Sequence, residues 1–172
     1  MKNIFIKISS TFLCRKLFKF LENWGTKMLG VLSIIKLHVH IKKAHPTSSC
    51  RWSTMIKYGE NISLGKNSRI GPKCVLGAKG GITIGENIVI SREVQLETAG
   101  LDLTIGPPFT KHLAKPIVIE DNCWLGSSVI VLGGVTIGQN SIIGAGAVIS
   151  KNVPPNSIIV GASVRNLKSK NV

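Results

Sequence analysis

The feature that most limits what this chain can fold into is a repeat with a period of six. From Ile119 the apolar position recurs at Leu125, Val131, Ile137, Ile143 and Ile149 without an error. The next position reads Glu120, Gly126, Leu132, Gly138, Gly144 and Ser150. Four places beyond each anchor stand Cys123, Val129, Val135, Ser141, Ala147 and Val153. The rule runs upstream through Tyr58-Gly59, Leu64-Gly65, Ile70-Gly71 and Leu76-Gly77. After a slip of two residues it resumes at Ile84-Gly85, Ile90-Ser91 and Leu96-Glu97. A helix needs a period near 3.6, a coiled-coil seam 3.5 and a half-buried strand 2, and none of these fits. Three units of one short strand and one corner close a triangular coil of about 18 residues. Its inward aliphatics then stack in ladders about 4.8 Å apart. The glycine after each anchor is expected to supply the positive φ of a tight corner, and the small residue to leave room inside the prism.

Composition agrees with a stack of strands. Aromatic residues make up only 5% of 172, while 44% are hydrophobic and 18 are glycine, with a mean hydropathy of +0.26. That length allows one domain, and that hydropathy excludes a disordered chain. Asn122–Ser150 holds 29 residues without a charge, which a hydropathy window would read as membrane-spanning. Gly, Ser, Asn and Gln interrupt it every few residues, so the run reads as coil. Ile8–Cys14 is uncharged for seven residues before Arg15 and Lys16, too short for a secretory leader. Cys14, Cys50, Cys74 and Cys123 lie far apart in no metal-like spacing, so free thiols in a reducing compartment, the cytoplasm, are expected.

Leu125-Gly126-Ser127-Ser128-Val129, Ile137-Gly138-Gln139-Asn140-Ser141 and Ile143-Gly144-Ala145-Gly146-Ala147 resemble the hexapeptide-repeat acyltransferases. The resemblance covers roughly residues 58–168 and implies an all-β fold, a left-handed parallel β-helix; an N-terminal amphipathic helix is expected before it from the apolar spacing of that segment. The expected division is a basic helical segment and lead-in strand over 1–50, the β-helix over 51–155 with a loop at about 98–115, and a C-terminal tail over 156–172. The segment from Lys115-Pro116 to Leu125-Gly126-Ser127 is similar to the sugar O-acetyltransferase branch, which includes the maltose and galactoside enzymes. So are Ala147–Pro154 and Val160–Lys168, although Ala162-Ser163-Val164 departs from the branch's usual Asn-Pro-Ala. The resemblance implies a homotrimer with acetyl-CoA, as co-substrate, in a groove between subunits. Carried over, the Ser127 and Ala145 backbones bond the pantetheine region, Ser150 and Lys151 lie further along, and Arg165 and Lys168 meet the phosphates. Surface charge and plain repeat geometry are the competing readings of these residues. Trp124 reads as a groove wall or subunit contact. No metal is implied: His38, His40 and His45 precede the repeats and His112 alone lies within them, against a zinc site of three histidines.

The hexads stop between Leu96 and Ile119, and a loop this long leaving a regular prism is usually functional. In the resembled branch it carries a histidine that acts as general base on the acceptor hydroxyl. That histidine normally stands about 24 residues before the tryptophan, and the count back from Trp124 lands at Gly100-Leu101-Asp102, with leucine in its place. Three readings remain: His112 is the base from a rearranged loop, Asp102 is, or the site has none. The implied activity is acetyl transfer to a sugar hydroxyl in surface polysaccharide biosynthesis. An amino-sugar N-acetyltransferase and a non-catalytic β-helix scaffold are the alternatives.

The net charge is +14, and residues 1–43 hold nine Lys/Arg against Glu22 alone. Leu13, Leu17, Phe20, Trp24, Met28, Val31 and Ile35 fall on one helical stripe, with Thr11 as a candidate cap. Two readings stay open: packing against the protein's own body or its trimer mates, and an interfacial helix making peripheral contact with the inner face of a membrane. Nucleic acid is not expected, since the basic segment lacks a recognition motif and interleaved exposed aromatics. Ile34–Lys43 alternates apolar and polar residues and reads as a strand with its histidines exposed.

Overall fold

A computed structural model describes residues 12–41, 43–102, 104, 106–108 and 111–161, with the backbone of 165–169. After α1 (Phe12–His40) the chain winds in turns of three strands. The first turn holds β1 (Lys43–Ala44), β2 (Ser49–Cys50) and β3 (Met55–Lys57). The second holds β4 (Ile62–Leu64), β5 (Arg69–Ile70) and β6 (Val75–Gly77), and the third β7 (Ile82–Ile84), β8 (Val89–Ile90) and β9 (Gln95–Glu97). A hairpin, β10 (Ala99–Leu101) with β11 (His112–Ala114), then leaves the prism. Winding resumes with β12 (Ile117–Ile119), β13 (Trp124–Leu125) and β14 (Ile130–Leu132), then β15 (Thr136–Ile137), β16 (Ile142–Ile143) and β17 (Val148–Ile149). A last turn adds Val153, bridged to Ile137, and β18 (Ser157–Val160), on which β19 (Arg165–Ser169) folds back antiparallel. The product is a left-handed parallel β-helix of about six turns.

Its three faces are parallel sheets: β1-β4-β7-β12-β15, β2-β5-β8-β13-β16-β18 and β3-β6-β9-β14-β17. We call them faces A, B and C. Register places anchor on anchor: Leu64, Ile84, Ile119 and Ile137 on face A, Ile70, Ile90, Leu125, Ile143 and Ile159 on face B, and Leu76, Leu96, Val131 and Ile149 on face C. All of them are buried. The uncharged run Asn122–Ser150 is therefore coil, with its repeat anchors turned into the prism while Trp124 and Leu132 stay exposed. β18 belongs to that prism, so the coil extends beyond the expected boundary at 155.

The structure corrects the role given to the glycines. Positive φ falls on non-glycine residues two places later, among them Asn67, Lys73, Asn87, Glu93, Asn122, Ser128 and Asn140. The glycine is there because the next coil sits directly on it. A Cβ on Gly65 would stand 2.5 Å from the Gly85 carbonyl oxygen, and one on Gly138 2.5 Å from the Pro155 nitrogen. Asn tolerates the left-handed region, and five asparagines at one corner use it to build a ladder. Asn67, Asn87, Asn122 and Asn140 each donate through Nδ2 to Oδ1 of the asparagine one coil on, ending at Asn156, at 3.0–3.3 Å. At the small inward position Ser68 Oγ donates to Gly85 O (2.7 Å), Cys74 Sγ to Ser91 O (3.0 Å) and Cys123 Sγ to Gly138 O (3.3 Å). Cysteine thus does the work of serine in this prism. Cys50, Cys74 and Cys123 are free and buried, and desolvation pushes their thiols above the ordinary range.

Two further expectations fail. Tyr58 is no inward anchor: it is half-exposed in a left-handed turn, while Ile56 pairs with Leu76. Ile34–Lys43 is not a strand, because α1 continues to His40 and β1 starts only at Lys43. Alternation there coincides with a helical pair, Leu37 and Ile41, four apart and both fully buried where the helix closes the end of the prism. Lys36 locks that end, donating from Nζ to the Trp52 and Thr54 carbonyls (2.7 and 2.6 Å) with its ammonium 5.2 Å from the Trp52 ring. Thr11 and the Cys14 side chain lie outside the described residues.

Candidate active site

The hairpin leaves the corner between faces C and A, between the third and fourth turns. At its base the Lys115 amide donates to Thr98 O (3.0 Å), and at its far end the Asp102 amide donates to Lys111 O (2.8 Å). Three register pairs lie between: Ala99 with Ala114, Gly100 with Leu113, and Leu101 with His112. Directly opposed residues of an antiparallel pair put their side chains on one face, about 4.5–5.5 Å apart. His112 therefore stands beside Leu101, the place where the sequence pattern led one to look for an imidazole. A cleft of about 250 Å³ opens between hairpin and prism, lined by Glu97, Leu101, Leu113, Lys115 and Leu132 among others.

Asp102 is ill suited to act as a base. Its carboxylate is buried and accepts from the Thr104 hydroxyl (2.6 Å) and the Thr104 amide (3.1 Å), with Lys111 Nζ 3.7 Å away. Those Thr104 hydrogen bonds, helped by Lys111, hold it below the usual carboxylate range. A carboxylate so occupied is a staple for the loop rather than a proton acceptor. Neither Thr104 nor Lys111 stood out in the sequence; the Asp-x-Thr spacing, which favours this local turn, was the available signal.

Ser127 and Ala145 are brought together. They sit at the corner between faces B and C, one coil apart, and the Gly146 amide donates to Ser127 O at 2.9 Å. The closeness is enforced by Gly126, where a Cβ would come within 2.7 Å of the Ala145 nitrogen. At the corner between faces A and B the corresponding amides are used inside the protein: Glu86 donates to Asp121 Oδ1 (2.7 Å) and Gln139 to Glu120 Oε2 (2.9 Å). Among the described residues, no such acceptor takes the amides of Arg92, Ser127 and Ala145, which form an outward column one coil apart. A column of that pitch suits an extended chain of amides such as pantetheine.

Ser150 and Lys151 are exposed at the other edge of face C, above the corner from which the hairpin departs. Face C therefore separates the Ser127–Ala145 column from His112, Ser150 and Lys151. Arg165 and Lys168 lie on β19 beside β18, and their side chains fall outside the described residues. Trp124 projects half-exposed from face B and donates through Nε1 to Ser91 Oγ (3.1 Å). Among the described residues no three His, Cys, Asp or Glu gather as a metal site would require.

Two family models match stretches of this sequence: the bacterial transferase hexapeptide (six repeats) over residues 116–151, and the hexapeptide repeat of succinyl-transferase over 61–91. A galactoside O-acetyltransferase of Escherichia coli is 36% identical over 121 residues, 66% of this chain and 57% of that protein. A hexapeptide-repeat acetyltransferase of Vibrio cholerae superposes with a TM-score of 0.72 at 30% identity, covering 77% of this chain and 76% of that one. A galactoside acetyltransferase solved in complex with coenzyme A superposes with a TM-score of 0.62 at 31% identity, covering 77% and 63%. The chain spans about half the length of the curated relatives it matches.

Proposed function

Because this chain belongs to the hexapeptide-repeat acyltransferases, we propose that it transfers the acetyl group of acetyl-CoA to a sugar hydroxyl, in the assembly of a surface polysaccharide. The hydroxyl acceptor is favoured by the galactoside enzyme among its relatives. The observation that carries the reading is the hairpin register, which sets His112 opposite Leu101. A step across the ladder supplies the imidazole that the leucine position lacks.

His112 then takes the proton of the attacking hydroxyl as that oxygen bonds the thioester carbonyl carbon. It returns the proton to sulfur as the carbon–sulfur bond breaks, leaving an acetyl ester and the CoA thiol. Outward amides of the coil stabilise the charge that gathers on the carbonyl oxygen. The Ser127 and Ala145 amides of one chain hold the pantetheine, Ser150 and Lys151 approach it with His112 from the neighbouring chain's edge of face C, and Arg165 and Lys168 answer the phosphates. Since one chain keeps the amide column and His112 on opposite edges of face C, the site is completed between neighbouring chains, which is why we assign a homotrimer.

Replacing His112 by Ala should lower acetyl transfer by roughly 10²–10⁴-fold. The shift in melting temperature on adding acetyl-CoA, and a light-scattering mass of three 18.5 kDa chains, should both persist. Full activity in His112→Ala overturns the assignment. Wild type that binds acetyl-CoA yet acetylates no sugar overturns the function and leaves a scaffold, and a monomeric mass overturns the shared site.

A further inference from the structure

Helix α1 presents its two sides to very different surroundings. Thr26, Gly30 and Ser33 line grooves against face B and the corner beyond it, and Leu37, four residues further, is fully buried. This row is small apart from Leu37, and Leu29 and Ile34 flank it along the same grooves. Leu17, Phe20, Trp24, Met28, Val31 and Ile35 lie about half a turn away, since Trp24 precedes Thr26 by two residues of about 100° each. They face outward: Phe20 is 66% exposed, Trp24 60% and Val31 58%. Continued to Val39, the stripe runs about 33 Å at 1.5 Å per residue. Among the described residues nothing packs on this stripe, because the helix meets the prism with the opposite side.

We propose that this outward stripe is a docking surface for an anionic lipid bilayer, with α1 lying in the interface. Charge selects the occupant. Residues 1–43 hold eight Lys/Arg besides the prism-bound Lys36 against one acid, which complements an anionic surface. A second copy seated on the same stripe would instead bring two such segments within a Debye length. Lys16 and Lys27 follow the edge of the stripe, where ammonium groups reach headgroups while their stems lie on the apolar surface. Each lysine held at an anionic surface is worth roughly fivefold in partition. No described helix is long and apolar enough to cross a membrane, so α1 lies on the bilayer rather than spanning it. The inference is independent of the acetyl-transfer reading.

The test is co-sedimentation of the full chain with vesicles of phosphatidylcholine alone or with about 30 mol% phosphatidylglycerol. Anionic vesicles should capture the protein, and roughly 0.5 M salt should release it at least tenfold. Phe20→Asp/Trp24→Asp should lose binding by at least tenfold, with melting temperature and oligomeric mass unchanged. Failure of wild type to bind, or equal binding by the double variant, overturns the proposal. So does a loss of oligomeric mass in that variant, which would place the stripe between copies. Transfer to a soluble sugar by the same preparations reads the catalytic assignment separately.

Discussion

The prism and the helix before it are both built on periodic aliphatic residues, and they turn them in opposite directions. In the prism each anchor points at two others across a closed triangle, so the period of six is satisfied within one chain. Ile137 shows no exposure at all. In α1 the stripe meets no counterpart among the described residues, and Val39 is 67% exposed. A repeat that closes on itself needs no partner. The stripe on α1 faces away from the prism, and the lipid docking proposed for it would cover it from outside the chain.

The largest effect expected from this contrast comes from truncating one aliphatic in each region. Ile137→Ala should cost about 2–5 kcal/mol in chemical denaturation, the range for emptying a fully buried site. Val31→Ala should stay within about 0.5 kcal/mol in the absence of lipid. Equal losses would mean that α1 is packed in solution and that the contrast fails.

Glycine should answer with opposite signs. Gly126→Ala forces a Cβ to 2.7 Å from the Ala145 nitrogen, and overpacking of this kind costs roughly 1–3 kcal/mol. Gly25→Ala meets nothing within 4 Å on the helix and should gain about 0.5–1 kcal/mol through lower backbone entropy. Thermal melts of the two variants would settle the signs, and a stabilised Gly126→Ala would show that the coils are not in direct contact there.

The smallest effect concerns the hairpin, which belongs to neither region. Asp102 is held below the usual carboxylate range by Thr104. Its contribution to the loop is therefore present above an ordinary carboxylate pKa of about 4, and is lost as pH falls through the lower folded value. Protection of the Thr104 amide against hydrogen exchange should drop only in that acidic window, and Asp102→Asn should abolish the pH dependence. A drop near pH 6 would assign the change to another group.

Most of the prism could be read from spacing, because a ladder of β-branched anchors leaves the chain one way to bury them. Burial confirmed Leu125, Val131, Ile143 and the small residues Cys123, Ser141 and Ala147 where the repeat put them. Positive φ was given to the wrong residues, since the spacing shows that a corner exists but not which residue turns it. The asparagine ladder leaves no signal in local spacing because its members are separated by whole coils. Residues 34–40 were misread because alternation and a helical pair coincide over a few positions, and only the burial of Leu37 and Ile41 separates the two.

The coil, its three-sided period and the interruption after Leu96 follow from the order of residues alone, because they depend on local spacing and on the need to bury aliphatic side chains. Tertiary structure alone decided what stands next to what. Hairpin register brought His112 opposite Leu101, coil stacking set Ser127 beside Ala145, and the end of the prism fixed which side of α1 faces outward. The physical reason is common to all three: each depends on contacts between residues far apart in the chain, whose pairing is set by the fold's geometry and not by any period along the sequence.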